Sequence, residues 1–187
     1  MKLPNILTVS RFALSAVFMV CLSVSFPGAP IAAVIVFGIA ALTDALDGHL
    51  ARKVYGCSAF GKLMDPLADK VLTAAAFIGF VELGIMPAWM VTLIISREMM
   101  VTGLRLLAVD KGIVLSAGIW GKHKTIWQMV FIIALLLTQA VYSVCPWSFL
   151  ESSLFWQIVL WSGGAVTALT LWSGIIYFRE NLALFRN

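Results

Sequence analysis

Four of the five aspartates in this chain fall between positions 44 and 69, in the stretch DALDGHLARKVYGCSAFGKLMDPLAD. Asp44 and Asp47 are three residues apart, which on a helix separates them by about 60° and about 4.5 Å of rise. Asp65 and Asp69 are four apart, separated by about 40° and about 6 Å. Each pair therefore shares a helix face. A short turn between the two segments makes them antiparallel neighbours, so four carboxylates converge near one end of a helix pair. Ionised carboxylates at that density repel one another, and partial burial adds to the cost. A divalent cation offsets both. Hard oxygen donors suit Mg²⁺ or Mn²⁺, and four carboxylates suit two ions better than one. Two-metal sites serve in-line displacement at phosphorus, clamping the attacking and leaving oxygens.

The small residues around the aspartates fit a site of this kind. Gly48 and Ala51 stand four and seven residues beyond Asp44, on its face, and Gly61 stands four before Asp65. Side chains this small clear a groove and let a ligand approach the backbone. Arg52 sits at the mouth of that groove, where it can hold a phosphate. Pro66 removes a backbone donor just after Asp65 and is expected to kink its helix. The competing reading is an ion or proton relay, or simple pairing of the carboxylates with Arg52, Lys53, Lys62 and Lys70.

The elements that position these residues are apolar. Hydrophobic residues make up 61% of the 187 and charged residues only 12%, with a mean hydropathy of +1.00. A typical soluble domain carries about 25% charged residues. The composition excludes an ordinary soluble domain and predicts an all-α membrane protein, one domain over residues 1–187. Six segments reach the length of a span, at about 6–26, 30–53, 58–81, 88–109, 122–143 and 154–178. Turn residues separate them: PGAP at 27–30, YGCS at 55–58, ELGIMP at 82–87, DKG at 110–112 and VCPWS at 144–148. With both termini in the cytoplasm, all 13 Lys and Arg residues fall on the inner side and none in the outer loops. Residues 1–10 are expected to lie along the interface as a short separate helix, and Trp89, Trp147, Trp156 and Trp161 to form an outer aromatic belt. The basic balance, thirteen positive against nine negative residues, points to an anionic leaflet and anionic substrates, not to nucleic acid. Three scattered cysteines, Cys21, Cys57 and Cys145, give neither a zinc site nor a disulfide framework and read as small apolar packing residues.

The order Asp44-x2-Asp47-Gly48-x2-Ala51-Arg52-x8-Gly61-x3-Asp65-x3-Asp69 resembles the signature of the CDP-alcohol phosphotransferase family at every defined position. The resemblance implies a six-helix membrane fold, usually a homodimer, with a di-metal site facing the cytoplasm. It implies that Asp44, Asp47, Asp65 and Asp69 bind the metals, and that Asp69 is also the general base toward the acceptor hydroxyl. Asp47, Gly48, Ala51, Arg52 and Gly61 are implied to line the cytidine diphosphate site, with Asn5 and Thr8 as further contributors. Three more stretches, KLPNILTVSRF at 2–12, ISREMMVTGLRLLA at 95–108 and WGKHKT at 120–125, resemble the bacterial phosphatidylglycerophosphate synthase branch of that family. In this branch the donor is CDP-diacylglycerol and the acceptor sn-glycerol 3-phosphate, and the location implied is the inner membrane of a bacterium.

A phosphorylated acceptor needs a cationic pocket. Arg11, Arg97, Arg105, Lys122 and Lys124 are the candidates for holding its phosphate. Positive-inside topology and lipid headgroup contact are the plainer explanation for some of them, Lys111 included. Glu98 is read as orienting Arg97, and His49 and His123 as bystanders. Serine or an inositol phosphate as acceptor, and a small cation or proton transporter, are the alternatives that sequence alone leaves open.

Overall fold

The fold was analysed in a computed structural model that describes the backbone of residues 3–24, 26–54, 59–110, 112, 113, 115 and 118–181. Side-chain surroundings are described for residues 9–24, 26–43, 70–109, 112, 113, 115, 118–148 and 150–181. Among the described residues every regular element is helical. They are α1 (Leu3–Ser23), α2 (Ala29–Val54), α3 (Ala59–Glu82), α4 (Ala88–Asp110), α5 (Ile119–Val144) and α6 (Ser153–Glu180), with a single 3-10 turn, Ser148–Glu151, before α6.

Local chemistry sets these ends. Pro4 and Pro30 occupy first turns, where a missing N–H costs nothing, and Pro87 stands directly before α4. The Ser152 hydroxyl caps α6 by accepting from the Phe155 amide at 3.2 Å. Helices α3 and α4 stop in the same way. Gly84, at φ +71°, and Gly112, at φ +74°, take the left-handed conformation after the last turn. The next amides then reach back, Ile85 to the Phe80 carbonyl and Ile113 to the Ala108 carbonyl, both at 2.8 Å. These are Schellman caps, which satisfy carbonyls the helix would leave bare.

The expected short helix over residues 1–10 is not separate. From Leu3 the chain runs into α1 without a break, because Pro4 sits where a helix accepts proline. Helix α3 spans Ala59–Glu82 with Pro66 inside it.

Helix α1 packs against both α2 and α3, α4 and α5 pack against α6, and α3 also meets α4 and α5. Buried aromatics tie the set together. Phe18 of α1 lies 5.5 Å from Phe37 of α2, and Phe77 of α3 stacks on Phe131 of α5 at 6.4 Å between centroids. Gly79 of α3 lies so close to the Leu22 side chain of α1 that a Cβ there would collide with it, the close approach that small residues allow between helices.

The outside of the bundle is apolar. All seven tryptophans are exposed, Trp161 at 77%, with long rows of Val, Ile and Leu beside them. The inside holds Arg11, Arg97, Glu98, Lys124 and Gln128, all buried. A water-soluble protein has the opposite distribution. Helices α5 and α6 are each long and apolar enough to cross a membrane. Cys21 packs partly against the core, whereas Cys145 is exposed at the C-terminal end of α5 and so is not a packing residue.

Candidate functional site

The aspartates lie on two consecutive helices. Asp44 and Asp47 fall in the C-terminal half of α2, and Asp65 and Asp69 in the N-terminal half of α3. Gly48, Ala51 and Arg52 follow on α2, Gly61 precedes on α3, and Asn5 and Thr8 belong to the first turns of α1. The side chains of all ten lie outside the described residues.

Directly after Asp69, at the next position of α3, stands Lys70, and here the described part of the site begins. Its ammonium lies 3.2 Å from Glu98 Oε2 on α4. Glu98 also receives Arg97 Nη1 at 3.0 Å and a short bond from Lys124 Nζ on α5. One buried carboxylate thus holds three cations from three helices. Arg97 and Lys124 are 8% and 3% exposed. Charges this deep survive only when paired and hydrogen-bonded.

Helix α6 closes the cluster. Arg97 Nη2 donates to Ser173 Oγ at 3.1 Å, and Arg105 Nε donates to Tyr177 Oη at 3.0 Å while its guanidinium lies 5.1 Å above the Tyr177 ring. Below them Gln128 Nε2 donates to Thr170 Oγ1 at 3.0 Å, and Thr170 in turn donates to the Val166 carbonyl at 2.7 Å.

Four of the five predicted acceptor-phosphate residues meet in one place. Arg97, Arg105, Lys122 and Lys124 line a cavity of about 330 Å³ with Lys70, Glu98, Thr102 and Tyr177. Arg11 is buried on α1 and does not line it. Five cations face one carboxylate, a formal surplus of four positive charges among the described lining residues. Such a surplus is stable when an anion enters, and a phosphate, with its several acceptor oxygens, matches forked arginines and point-charged lysines.

Sequence reasoning missed the contribution of α6. Thr170, Ser173, Gly174 and Tyr177 sit in a stretch that reads as plain hydrophobic span. The available signal was a run of small and hydroxylic residues at helical spacing, Gly163, Thr167, Thr170, Ser173, Gly174 and Tyr177, all buried. A polar stripe inside an apolar helix faces protein and not lipid.

Comparison with known proteins gives a concordant answer. The profile of the family described as CDP-alcohol phosphatidyltransferase matches residues 1–172. A CDP-diacylglycerol–glycerol-3-phosphate 3-phosphatidyltransferase of Bacillus subtilis is 39% identical, over 96% of this chain and 95% of that protein. Proteins of the same name from Pseudomonas fluorescens and Mycoplasma pneumoniae are 34% and 32% identical over 96% of this chain, covering 89% and 87% of their own lengths. With its aspartates spaced as they are, Lys70 after Asp69 lining a cationic cavity, and these relatives matched over most of their length, the chain belongs to the CDP-alcohol phosphatidyltransferase family.

Proposed function

We propose that the protein transfers the phosphatidyl group of CDP-diacylglycerol to sn-glycerol 3-phosphate, giving phosphatidylglycerophosphate and CMP. The observation that carries the acceptor is the cationic cavity beside the α3 segment that bears Asp69. The named relatives support both substrates.

In this reading the acceptor phosphate rests among Arg97, Arg105, Lys122, Lys124 and Lys70. The three-carbon acceptor is short, so holding its phosphate there keeps its free primary hydroxyl near α3. The hydroxyl oxygen attacks the β-phosphorus of the donor, the one bearing the diacylglycerol. A new P–O bond forms, the bond to the bridging oxygen breaks, and CMP leaves. Asp69 takes the hydroxyl proton as general base. Arg52 and the small residues Gly48, Ala51 and Gly61, with Asn5, Thr8 and Asp47, receive the cytidine diphosphate. Fixing both substrates converts an encounter in two phases into a reaction within one site.

The defined aspartate positions offer carboxylate oxygen only, a donor set that fits Mg²⁺ or Mn²⁺. Asp44, Asp47, Asp65 and Asp69 would hold two such ions, which when bound supply positive charge to the phosphoryl oxygens. The apolar exterior and buried charge support a bacterial inner-membrane protein of six spans, with both termini and the site on the cytoplasmic side. The acyl chains of the donor then stay in lipid while its head enters the groove. A homodimer in the membrane belongs to the same reading.

The test is CMP release by purified protein in detergent with CDP-diacylglycerol and Mg²⁺. The acceptors offered are glycerol 3-phosphate, serine and inositol phosphate, and Asp69→Asn is the control. Release with glycerol 3-phosphate alone, lost in the variant, is expected. Release with serine in preference would overturn the phosphate pocket. Cation flux in vesicles without CMP release from any acceptor would overturn the transferase reading.

A further inference from the structure

Within the cationic cavity Arg97 is placed in an unusual way. Its two terminal nitrogens are used, Nη1 by Glu98 at 3.0 Å and Nη2 by Ser173 Oγ at 3.1 Å. Its Nε is buried and has no hydrogen-bond partner among the described residues. The side chain is 8% exposed and lines the cavity. It crosses α6 directly over Gly174. A Cβ at that position would stand 2.8 Å from Arg97 Cγ and 3.1 Å from its Nε. The first distance is closer than real carbon atoms approach, and Cγ is the root of the side chain, not its free end. Both ends of the guanidinium are tied, so Arg97 cannot step aside without losing Glu98 or Ser173. Ser173 is itself fixed by donating to the Thr170 carbonyl at 2.8 Å. Ser173 and Gly174 also lie beyond residue 172, where the match to the family profile ends.

We infer that Gly174, with Ser173 beside it, is a positioning residue for the phosphorylated acceptor: its missing side chain gives Arg97 the space to reach the cavity. The inference rests on the acceptor-pocket reading above. Arg97 lines the cavity with Lys70, Lys122 and Lys124, so its seat over Gly174 sets where one of the pocket's cations stands.

The experiment is steady-state kinetics in detergent, varying glycerol 3-phosphate and CDP-diacylglycerol separately, on Gly174→Ala, Ser173→Ala, Arg97→Ala and the double variant Gly174→Ala/Arg97→Ala. Gly174→Ala should raise KM for glycerol 3-phosphate about tenfold, the worth of one charge-assisted hydrogen bond. KM for the donor and kcat should stay unchanged. Ser173→Ala adds no bulk, so it avoids the steric clash of Gly174→Ala, and it should shift the same constant in the same direction. In the Arg97→Ala background the alanine at 174 no longer meets the arginine side chain and should have no further effect on the acceptor KM. If Arg97→Ala leaves the acceptor KM unchanged, the pocket reading itself fails. If Arg97→Ala raises it while Gly174→Ala and Ser173→Ala do not, the pocket stands and this inference fails. A Gly174→Ala effect that falls on kcat and both KM values, and persists without Arg97, would reduce Gly174 to general packing and overturn the inference.

Discussion

Replacing Glu98 by glutamine tests the electrostatic architecture most directly. The carboxylate is the common partner of Lys70, Arg97 and Lys124. Glutamine keeps the shape and one acceptor oxygen but removes the charge. Two of the three cations are almost wholly buried, so solvent does not take over the lost role. Breaking a buried pair from one side costs about 3–5 kcal/mol, because the remaining charge stays uncompensated. For a chain of this size each kcal/mol moves the unfolding midpoint by roughly 2–4 °C. Glu98→Gln should therefore lower the thermal midpoint of the detergent-purified protein by roughly 6–20 °C. A second substitution gives the sign check. Lys124→Met removes one uncompensated cation and leaves a side chain of similar length. Added to Glu98→Gln it should restore part of the lost stability, since neutral replacement of a buried pair is often harmless. Glycerol 3-phosphate at saturating concentration should also raise the midpoint of Glu98→Gln by more than it raises that of the parent. A double variant less stable than Glu98→Gln, or a single variant as stable as the parent, would refute the view that Glu98 balances the cations.

Other outcomes follow from the same geometry. Thr170→Val keeps the volume but leaves the buried Gln128 amide without its acceptor, so stability should fall by about 1–3 kcal/mol, measured by thermal unfolding. Tyr177→Phe removes the partner of Arg105 Nε and should raise KM for glycerol 3-phosphate about tenfold, what loss of one charge-assisted hydrogen bond costs, with KM for the donor unchanged. Chelation with EDTA should abolish CMP release, and Mg²⁺ or Mn²⁺ should restore it, as expected for a carboxylate-only donor set. Gly84→Ala forces a Cβ into the left-handed region at φ +71° and should cost about 1 kcal/mol.

Much of this architecture was legible in the residues. No end of the six predicted segments differs from its helix by more than three residues, because apolar runs and the prolines and glycines between them are strong signals. Residues 1–10 precede the apolar run and so suggest a separate interfacial helix, and only the continuous backbone from Leu3 joins them to α1. The cationic pocket was legible residue by residue but not as a place. Arg97, Arg105, Lys122 and Lys124 were marked by charge inside apolar surroundings, yet Arg11, marked by the same rule, lies elsewhere. Charge reveals that a residue needs a partner and not which helix brings it. The role of α6 was hidden for the opposite reason. Ser173, Gly174 and Thr170 mark a protein-facing stripe, but what they hold is visible only from what α4 and α5 place against them.

The placing of Arg97 and Glu98 also has a consequence for how the chain is made. An arginine or an acidic residue at the centre of a lone apolar helix opposes entry into a bilayer by about 2.5–3.5 kcal/mol each. Helix α4 carries both, and their partners come later: Lys124 follows Glu98 by 26 residues and Ser173 follows Arg97 by 76. When α4 leaves the ribosome, Arg97 and Glu98 have each other and Lys70, but not Lys124 or Ser173. Helices α5 and α6, long and apolar enough to cross a membrane, arrive afterwards with the missing groups. On the six-span reading proposed above, stable integration of α4 waits on the last third of the chain. A nascent protein stopped after α4 should be drawn out of the membrane by alkali, and one released after α6 should resist it.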